Sequence, residues 1–428
     1  MTPLFQRLAE ATRGRVAGVP AMHARVPFWL RELGVVAPEA VVVKVTGTNG
    51  KGSVCAMLSA CLSRAGQDVG TFTGPHLARF TERFAWNGVE VPEQALAPWV
   101  ERVLGAIERT VATHGEPLRP SLFEALLFVA LAFFGERRAR VVVLEGGIGG
   151  ASDAVSHVPG PVTVLTTVAL DHAERLGPTL DRIARDKAAM ATPGTHLVLG
   201  PHVSSALESA LREVAAQRRL QLVRERGRGI RLVPRGLSPW DAQIQRGELR
   251  VEVPLPLRGR HQEGNLGAVL AALEVLSALG VPSDLAGLAN VVWPGRLEVL
   301  SGDPTVLLDV AHNAQGMEAL AATLDELAPY RSRVLLYGAS ADKDYPACLP
   351  WLSALAPELH LAGGFHRAEQ VEVLARVRGD GAVDSFGEPI SAIDTLCGRL
   401  RGSGRLLVVT GSLYLVGAVR AALASRGC

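Results

Sequence analysis

Two doubly wound α/β domains are what this sequence predicts, and three observations predict them. At 428 residues the chain exceeds what one core usually serves. Short β-branched runs alternate with longer helical patterns almost throughout, as β-α-β units require. The runs themselves are apolar on both faces, like strands of a mostly parallel sheet covered on each side.

The strand candidates, in order, are residues 40–45, 139–145, 161–170, 305–310, 332–338 and 405–411. Helical patterns occupy residues 53–65, 179–190, 265–279 and 317–327. Residues 122–134, "LFEALLFVALAFF", are 13 residues long and contain Glu124, so they are too short for a bilayer and read as a buried helix. Residues 221–256 are rich in turn formers and read as a small antiparallel excursion at the end of the first domain. The Trp-Pro-Gly turn in "NVVWPGRLE" (Asn290 to Glu298) sets the expected boundary. The division is therefore a first domain over 1–292, P-loop ATPase-like because its strand at 40–45 runs into the glycine loop 47–52 and then a helix, and a smaller Rossmann-like domain over 293–428.

Composition narrows the function classes. Hydrophobic residues make up 48% and charged residues 20%, which suits a globular protein with ample core. A net charge of +2, from 44 basic and 42 acidic side chains, argues against a general nucleic-acid binder. The five cysteines, Cys55, Cys61, Cys348, Cys397 and Cys428, form no CxxC or Cys/His cluster and read as free thiols in a reducing cytoplasm. The N-terminus lacks the pattern of a signal peptide, so no membrane or secretory role is expected.

Four constellations carry chemistry. In "VVVKVTGTNGKGSV" (Val41 to Val54) a buried strand enters a glycine loop and a helix begins near Ser53. Glycines let backbone N–H groups converge on phosphate, and a helix N-terminus adds partial positive charge. Lys51 would offset the outer phosphates, and Ser53 would cap the helix or reach Mg²⁺. In "VVVLEGGIGG" a second buried strand ends in Glu145, a natural Mg²⁺ ligand beside a phosphate loop. In residues 168–190, Asp171 and His172 end a third strand; Lys187 follows among Asp181, Arg182, Arg185 and Asp186, which by itself reads as a solvated helix face. Arg296 and Asp309 bracket the first strand of the second domain and read either as nucleotide contacts or as an interdomain ion pair.

The ordered set resembles the folylpolyglutamate synthase / dihydrofolate synthase family of the Mur-ligase superfamily, from about Arg31 to Val419. It comprises "GTNGKGS" (Gly47 to Ser53), "TGPHL", "TERFAWNG", "SLFEALLFVALAFF", "LEGGIGGASDA", "LDHAERLG", "HQEGN", "PGRLE", "DVAHN", "DKD" and "GSLYLVG". The resemblance implies an ATP-dependent ligase that joins L-glutamate to dihydropteroate or a reduced folate through an acyl phosphate. It implies Thr48, Asn49, Gly50, Lys51, Gly52 and Ser53 on the phosphates, and Asn265, Arg296 and Asp309 on the nucleotide. Glu145, His172 and carbamylated Lys187 would hold metal, with Ser53 a further candidate ligand; Lys51, His172 and Lys187 would be catalytic. Ser121, Phe123, Glu124, Ser152, Asp153 and Ala154 would lie near pteroate, and His312 and Ser412 on the glutamate side. Two Mg²⁺ ions, with K⁺ as a further cation, and a monomer are the expected complement.

The sequence departs from the family pattern at the expected Mg²⁺-binding serine, which is Gly74 here. In the glycine-rich stretch after Glu145, the usual Arg, Leu, Thr and Asn are Ala151, Ser152, Val155 and Ser156. Two other readings stand beside the folate ligase: a Mur-type ligase with another acceptor, and a non-catalytic ATP- or folate-binding homologue.

Overall fold

The structure, a computed structural model, describes residues 2–14, 19–35, 40–225, 229–327, 332–378 and 382–425. Cys428 lies outside them; Cys55, Cys61, Cys348 and Cys397 are free thiols. The chain divides into two compact units, Met1–Ile230 with Gly264–Val291, and Arg231–Glu263 with Val292–Cys428.

The first unit is built on eight strands: β1 (Val41–Thr46), β2 (Val69–Phe72), β3 (Phe84–Trp86), β4 (Val89–Glu90), β5 (Val141–Glu145), β6 (Val162–Leu165), β7 (His196–Leu199) and β8 (Gln221–Arg224). Their order is β4-β3-β2-β5-β1-β6-β7-β8. Pairs from β2 through β8 are parallel, and the β3 and β4 hairpin adds an antiparallel edge. The chain builds on one side of β1 first, with β2 and β5, and then on the other with β6, β7 and β8. Such a reversal opens a crevice at the carboxyl ends of the central strands, where doubly wound sheets bind ligands. Register places Val45 beside Glu145 and Thr46 beside Leu165, so the loops after β1, β5 and β6 leave from one edge.

The apolar run after Ser121 is the helix Leu122–Glu136, buried from Glu124 to Phe134. Its start is fixed by a capping box: Ser121 Oγ accepts the Glu124 N–H and the Glu124 carboxylate accepts the Ser121 N–H. Among the described residues no helix is long and apolar enough to cross a membrane.

The second unit holds a three-stranded sheet, β9 (Ile230–Val233), β10 (Trp240–Arg246) and β11 (Leu249–Leu255), and a six-stranded one. The latter comprises β12 (Glu298–Leu300), β13 (Thr305–Leu308), β14 (Arg333–Tyr337), β15 (Glu358–Ala362), β16 (Ala382–Phe386) and β17 (Leu406–Thr410), in the order β12-β13-β17-β14-β15-β16. Only β12 pairs antiparallel. The expected excursion over 221–256 thus splits: β8 completes the large sheet, while β10 and β11 belong to the second unit.

One core residue breaks the apolar pattern of β1. Lys44 is fully buried, and its ammonium donates to the Met190 carbonyl at 2.7 Å and to Thr192 Oγ1 at 3.0 Å. Burial pushes its pKa down to about 7, with the Arg218 guanidinium adding to the shift. An unfolded lysine titrates near 10.5, so between these values the unfolded chain holds more protons and stability rises with pH. Relative to Lys44→Met, the wild type is expected to gain roughly 2 kcal/mol between pH 7 and about pH 9 in denaturant titrations. A pH-independent difference would mean that Lys44 stays charged in the fold.

Candidate active site

The loop after β1 requires its glycines. Gly47 has φ +147°, and a Cβ there would overlap Thr166 Oγ1. Gly50 caps the helix Lys51–Arg64 at φ +83°, and a Cβ there would overlap Asn265 Oδ1. Asn265, expected on the nucleotide, is therefore a buried wall of the phosphate loop. Gly50→Ala, which combines left-handed strain with this overlap, is expected to cost about 1–3 kcal/mol. It should also weaken ATP binding measured by calorimetry.

Two threonines that the sequence reading missed fasten the loop. The Thr48 N–H donates to the Thr167 carbonyl at 3.0 Å, and the Asn49 N–H to Thr167 Oγ1 at 2.8 Å. Thr166 Oγ1 donates to the Asn49 carbonyl at 2.6 Å, and Thr48 Oγ1 bridges the backbone of Ala169. Gly52 and Ser53 are buried in the first helical turn. The doublet in "LTTVAL" at the end of a strand was the available signal.

Lys51 and Lys187 converge on this loop. The Lys51 ammonium donates to the carbonyls of Gly47 and Thr48 at 3.1 and 3.0 Å. Lys187 reaches the same Gly47 carbonyl at 3.0 Å from the helix Leu180–Ala188. The bare reading of Lys187 as a solvated face fails, because the residue is 4% exposed. Burial, and then the neighbouring Lys51 cation, push its pKa down to about 7 against the pull of Asp186, Asp171 and Asp153.

Glu145 ends β5 at 5% exposure, and its carboxylate accepts the Gly74 N–H at 3.0 Å. Gly74 offers no side-chain oxygen; a Cβ there would stand 2.5 Å from Arg83 Nη1. Arg83 is anchored by donating from Nε to His76 Nδ1 at 2.9 Å, and burial keeps the His76 imidazole neutral by pushing its pKa to about 3. His172, in the loop beyond β6, has a left-handed backbone (φ +53°), uncommon for a residue other than glycine. Its ring nitrogens lie 3.8 and 3.7 Å from carboxylate oxygens of Asp171 and Glu174.

Of the expected pteroate residues, Ser152, Asp153 and Ala154 follow the glycines after β5 and Phe123 packs beside Gly147, whereas Ser121 and Glu124 cap the helix that begins at Leu122. Phe123 packs against Phe72 in a tilted pair with ring centroids 5.7 Å apart, and its ring edge would lie 3.3 Å from a Cβ at Gly147. The buried Asp153 carboxylate turns inward, accepting the N–H groups of Gly147, Ile148 and Val155 at 2.8–2.9 Å. Burial lifts its pKa to about 6 despite those three donors. Ala154 is buried beside it. Glu124 is committed to Arg25, another residue missed, in a buried two-pronged ion pair at 2.8 and 2.9 Å. Nothing in "AMHARV" marked Arg25.

In the second unit, Asp309 follows β13 and accepts the N–H groups of Leu297 and Ala311 at 3.0 and 2.9 Å. Burial raises its pKa, while the Arg296 guanidinium opposes the rise. His312 Nδ1 donates to the Val310 carbonyl at 2.8 Å. Ser412, which caps the helix Leu413–Ala424, pairs its hydroxyl with that of Ser340 at 2.9 Å. Ser340 had no sequence signal of its own.

A phosphate loop on one doubly wound unit, acids and a buried lysine at its strand edge, and a second parallel-sheet unit define a ligase of the Mur type. Residues 295–413 match the Mur ligase glutamate ligase domain. The chain is 32% identical to the dihydrofolate synthase/folylpolyglutamate synthase of Escherichia coli over 414 residues, covering 94% of this chain and 91% of that one. It superposes on the solved structure of E. coli FolC in complex with DHPP and ADP with a TM-score of 0.83, at 30% identity and with 100% and 99% of the two chains covered. A probable bifunctional folylpolyglutamate synthase/dihydropteroate synthase of Haloferax volcanii is 34% identical over 400 residues; 88% of this chain is covered, but only 45% of that longer protein. The chain belongs to the folylpolyglutamate synthase / dihydrofolate synthase family.

Proposed function

We propose that this protein joins L-glutamate to a folate-type carboxylate, dihydropteroate or a reduced folate, with cleavage of ATP to ADP and phosphate. The observation that carries the reading is the meeting of two lysine amines on one loop carbonyl, Gly47 O. Two ammonium groups so placed repel each other unless anions lie between them or one amine is neutral. A nucleotide phosphate supplies the first condition, and a buried Lys187 with a pKa near 7 supplies the second.

An amine cannot displace oxide from a carboxylate, so the acceptor must first be given a leaving group. Its carboxylate oxygen attacks the γ-phosphorus, the bond to the β–γ bridging oxygen breaks, and ADP departs. The glutamate amine then attacks the acyl carbon, loses a proton, and expels phosphate bearing the former carboxylate oxygen. Loop N–H groups and Lys51 would hold the phosphates in line for the first transfer. Glu145 and His172 would hold Mg²⁺, completed by water and nucleotide oxygens. Mg²⁺ bound there would offset charge on the transferred phosphoryl group. A neutral buried amine is the form that captures CO₂, so Lys187 fits the carbamate that would add an oxygen ligand. We assign Arg296 and Asp309 to nucleotide, and His312 and Ser412 to glutamate. The reading places the enzyme in the cytoplasm as a monomer, in keeping with its free thiols.

The test supplies Mg-ATP, L-glutamate and either dihydropteroate or tetrahydrofolate. A product heavier by one glutamyl residue, formed with matching phosphate release, is expected from at least one acceptor. Absence of a glutamylated product from both overturns the proposal.

A further inference from the structure

Asp186 ties two parts of the site together. Its Oδ2 accepts the Gly150 N–H at 2.7 Å and the Ser152 hydroxyl at 3.1 Å, while Oδ1 accepts the Ser152 N–H at 3.2 Å. Its backbone carbonyl accepts the Ala151 N–H at 2.8 Å. Every residue from Gly150 to Ser152 is thus bonded to the residue immediately before Lys187. The contact is too close for side chains: a Cβ at Gly150 would overlap the Asp186 carbonyl and Lys187 Cα, and one at Gly149 would lie 2.6 Å from Asp186 Oδ2. On its other side the loop is held to β1, where Thr46 Oγ1 donates to the Gly149 carbonyl at 2.8 Å. The hydroxyl bond is specific to serine at 152, since the leucine of the family pattern has no donor there.

We propose that Asp186 is a positioning residue that locks the loop 149–152, and with it the acceptor-side segment Ser152 to Ala154, to the helix carrying Lys187. This rests on the proposed function. The carboxylate keeps the acceptor loop in register with the helix from which Lys187 reaches the phosphate loop. A charged acceptor serving three donors suits that task, because each bond is charge-assisted and the shared oxygen fixes their spacing. Loss of the carboxylate releases Gly150 and Ser152, while the bonds of Gly149 to Thr46 and of Lys187 to Gly47 remain.

Steady-state kinetics of Asp186→Asn test this. The amide has one accepting oxygen where the carboxylate has two, so the acceptor KM is expected to rise and kcat to fall, each on the order of tenfold. The KM for ATP should stay within about twofold. Asp186→Glu, which keeps the charge but moves it by one methylene, provides a second variant if the first fails to fold. It should shift the same two parameters by about threefold. A merely structural residue would lower the melting temperature and the active fraction and leave both KM values alone. That outcome overturns the proposal. An inactive wild type would instead count against the ligase reading.

Discussion

Lys187→Ala is expected to lower kcat by about 10³-fold, the scale on which losing one preorganised electrostatic group acts. The fold should survive, because the substitution removes a desolvated amine from a site with no ion-pair partner within 4 Å among the described residues and leaves the Gly47 carbonyl beside Lys51. Two chemical rescues separate the roles that Lys187 could play. If the working form is the carbamate, acetate or propionate in the vacated space restores part of the rate, since a small carboxylate replaces the lost anion. If it is the ammonium, methylamine restores activity and acetate does not. The account expects rescue by carboxylate, and near-wild-type kcat without any additive would remove Lys187 from the mechanism.

Arg25→Ala carries the largest expected loss of stability, about 3–5 kcal/mol in denaturant unfolding. The Arg25 and Glu124 side chains are 1% and 5% exposed and pair through two bonds, so truncating the arginine strands a carboxylate beneath the surface. Glu124 also closes the capping box at the start of a helix that is buried almost throughout, so the damage reaches the core. Arg25→Met with Glu124→Gln should recover most of the loss, because no unpaired charge remains. An unfolding free energy for Arg25→Ala within 1 kcal/mol of wild type, as read from the same curves, would contradict a dry ion pair.

The architecture was legible because strands covered on both faces announce themselves as continuous apolar runs. Those runs fell where β1, β5, β13, β14 and β17 form, although the run over 161–170 yields a strand only as far as Leu165. Thr166 and Thr167 beyond it leave the sheet to bind the phosphate loop, a tertiary demand that periodicity does not encode. The segment 221–256 misled because short strands and turns specify pairing but not which larger sheet they join. The local content of the site was written in motifs, from "GTNGKGS" to Glu145 and His172. Lys187 shows the limit: surrounded by charges in sequence, it looks solvated, yet helix geometry turns it inward while Asp181 and Arg185 pair with each other outside. Arg25, Ser340 and the grip of Asp186 on the loop depend on partners far away in the chain.

The central claim is that ATP activates the acceptor as an acyl phosphate before glutamate attacks. Dihydropteroate or tetrahydrofolate labelled with ¹⁸O in the reacting carboxylate tests it directly, with the isotopic content of released phosphate read by mass spectrometry. One ¹⁸O in each phosphate, alongside ADP and a product carrying one more glutamyl residue, is the predicted result. Unlabelled phosphate, or label retained entirely in the amide and solvent water, would contradict the account.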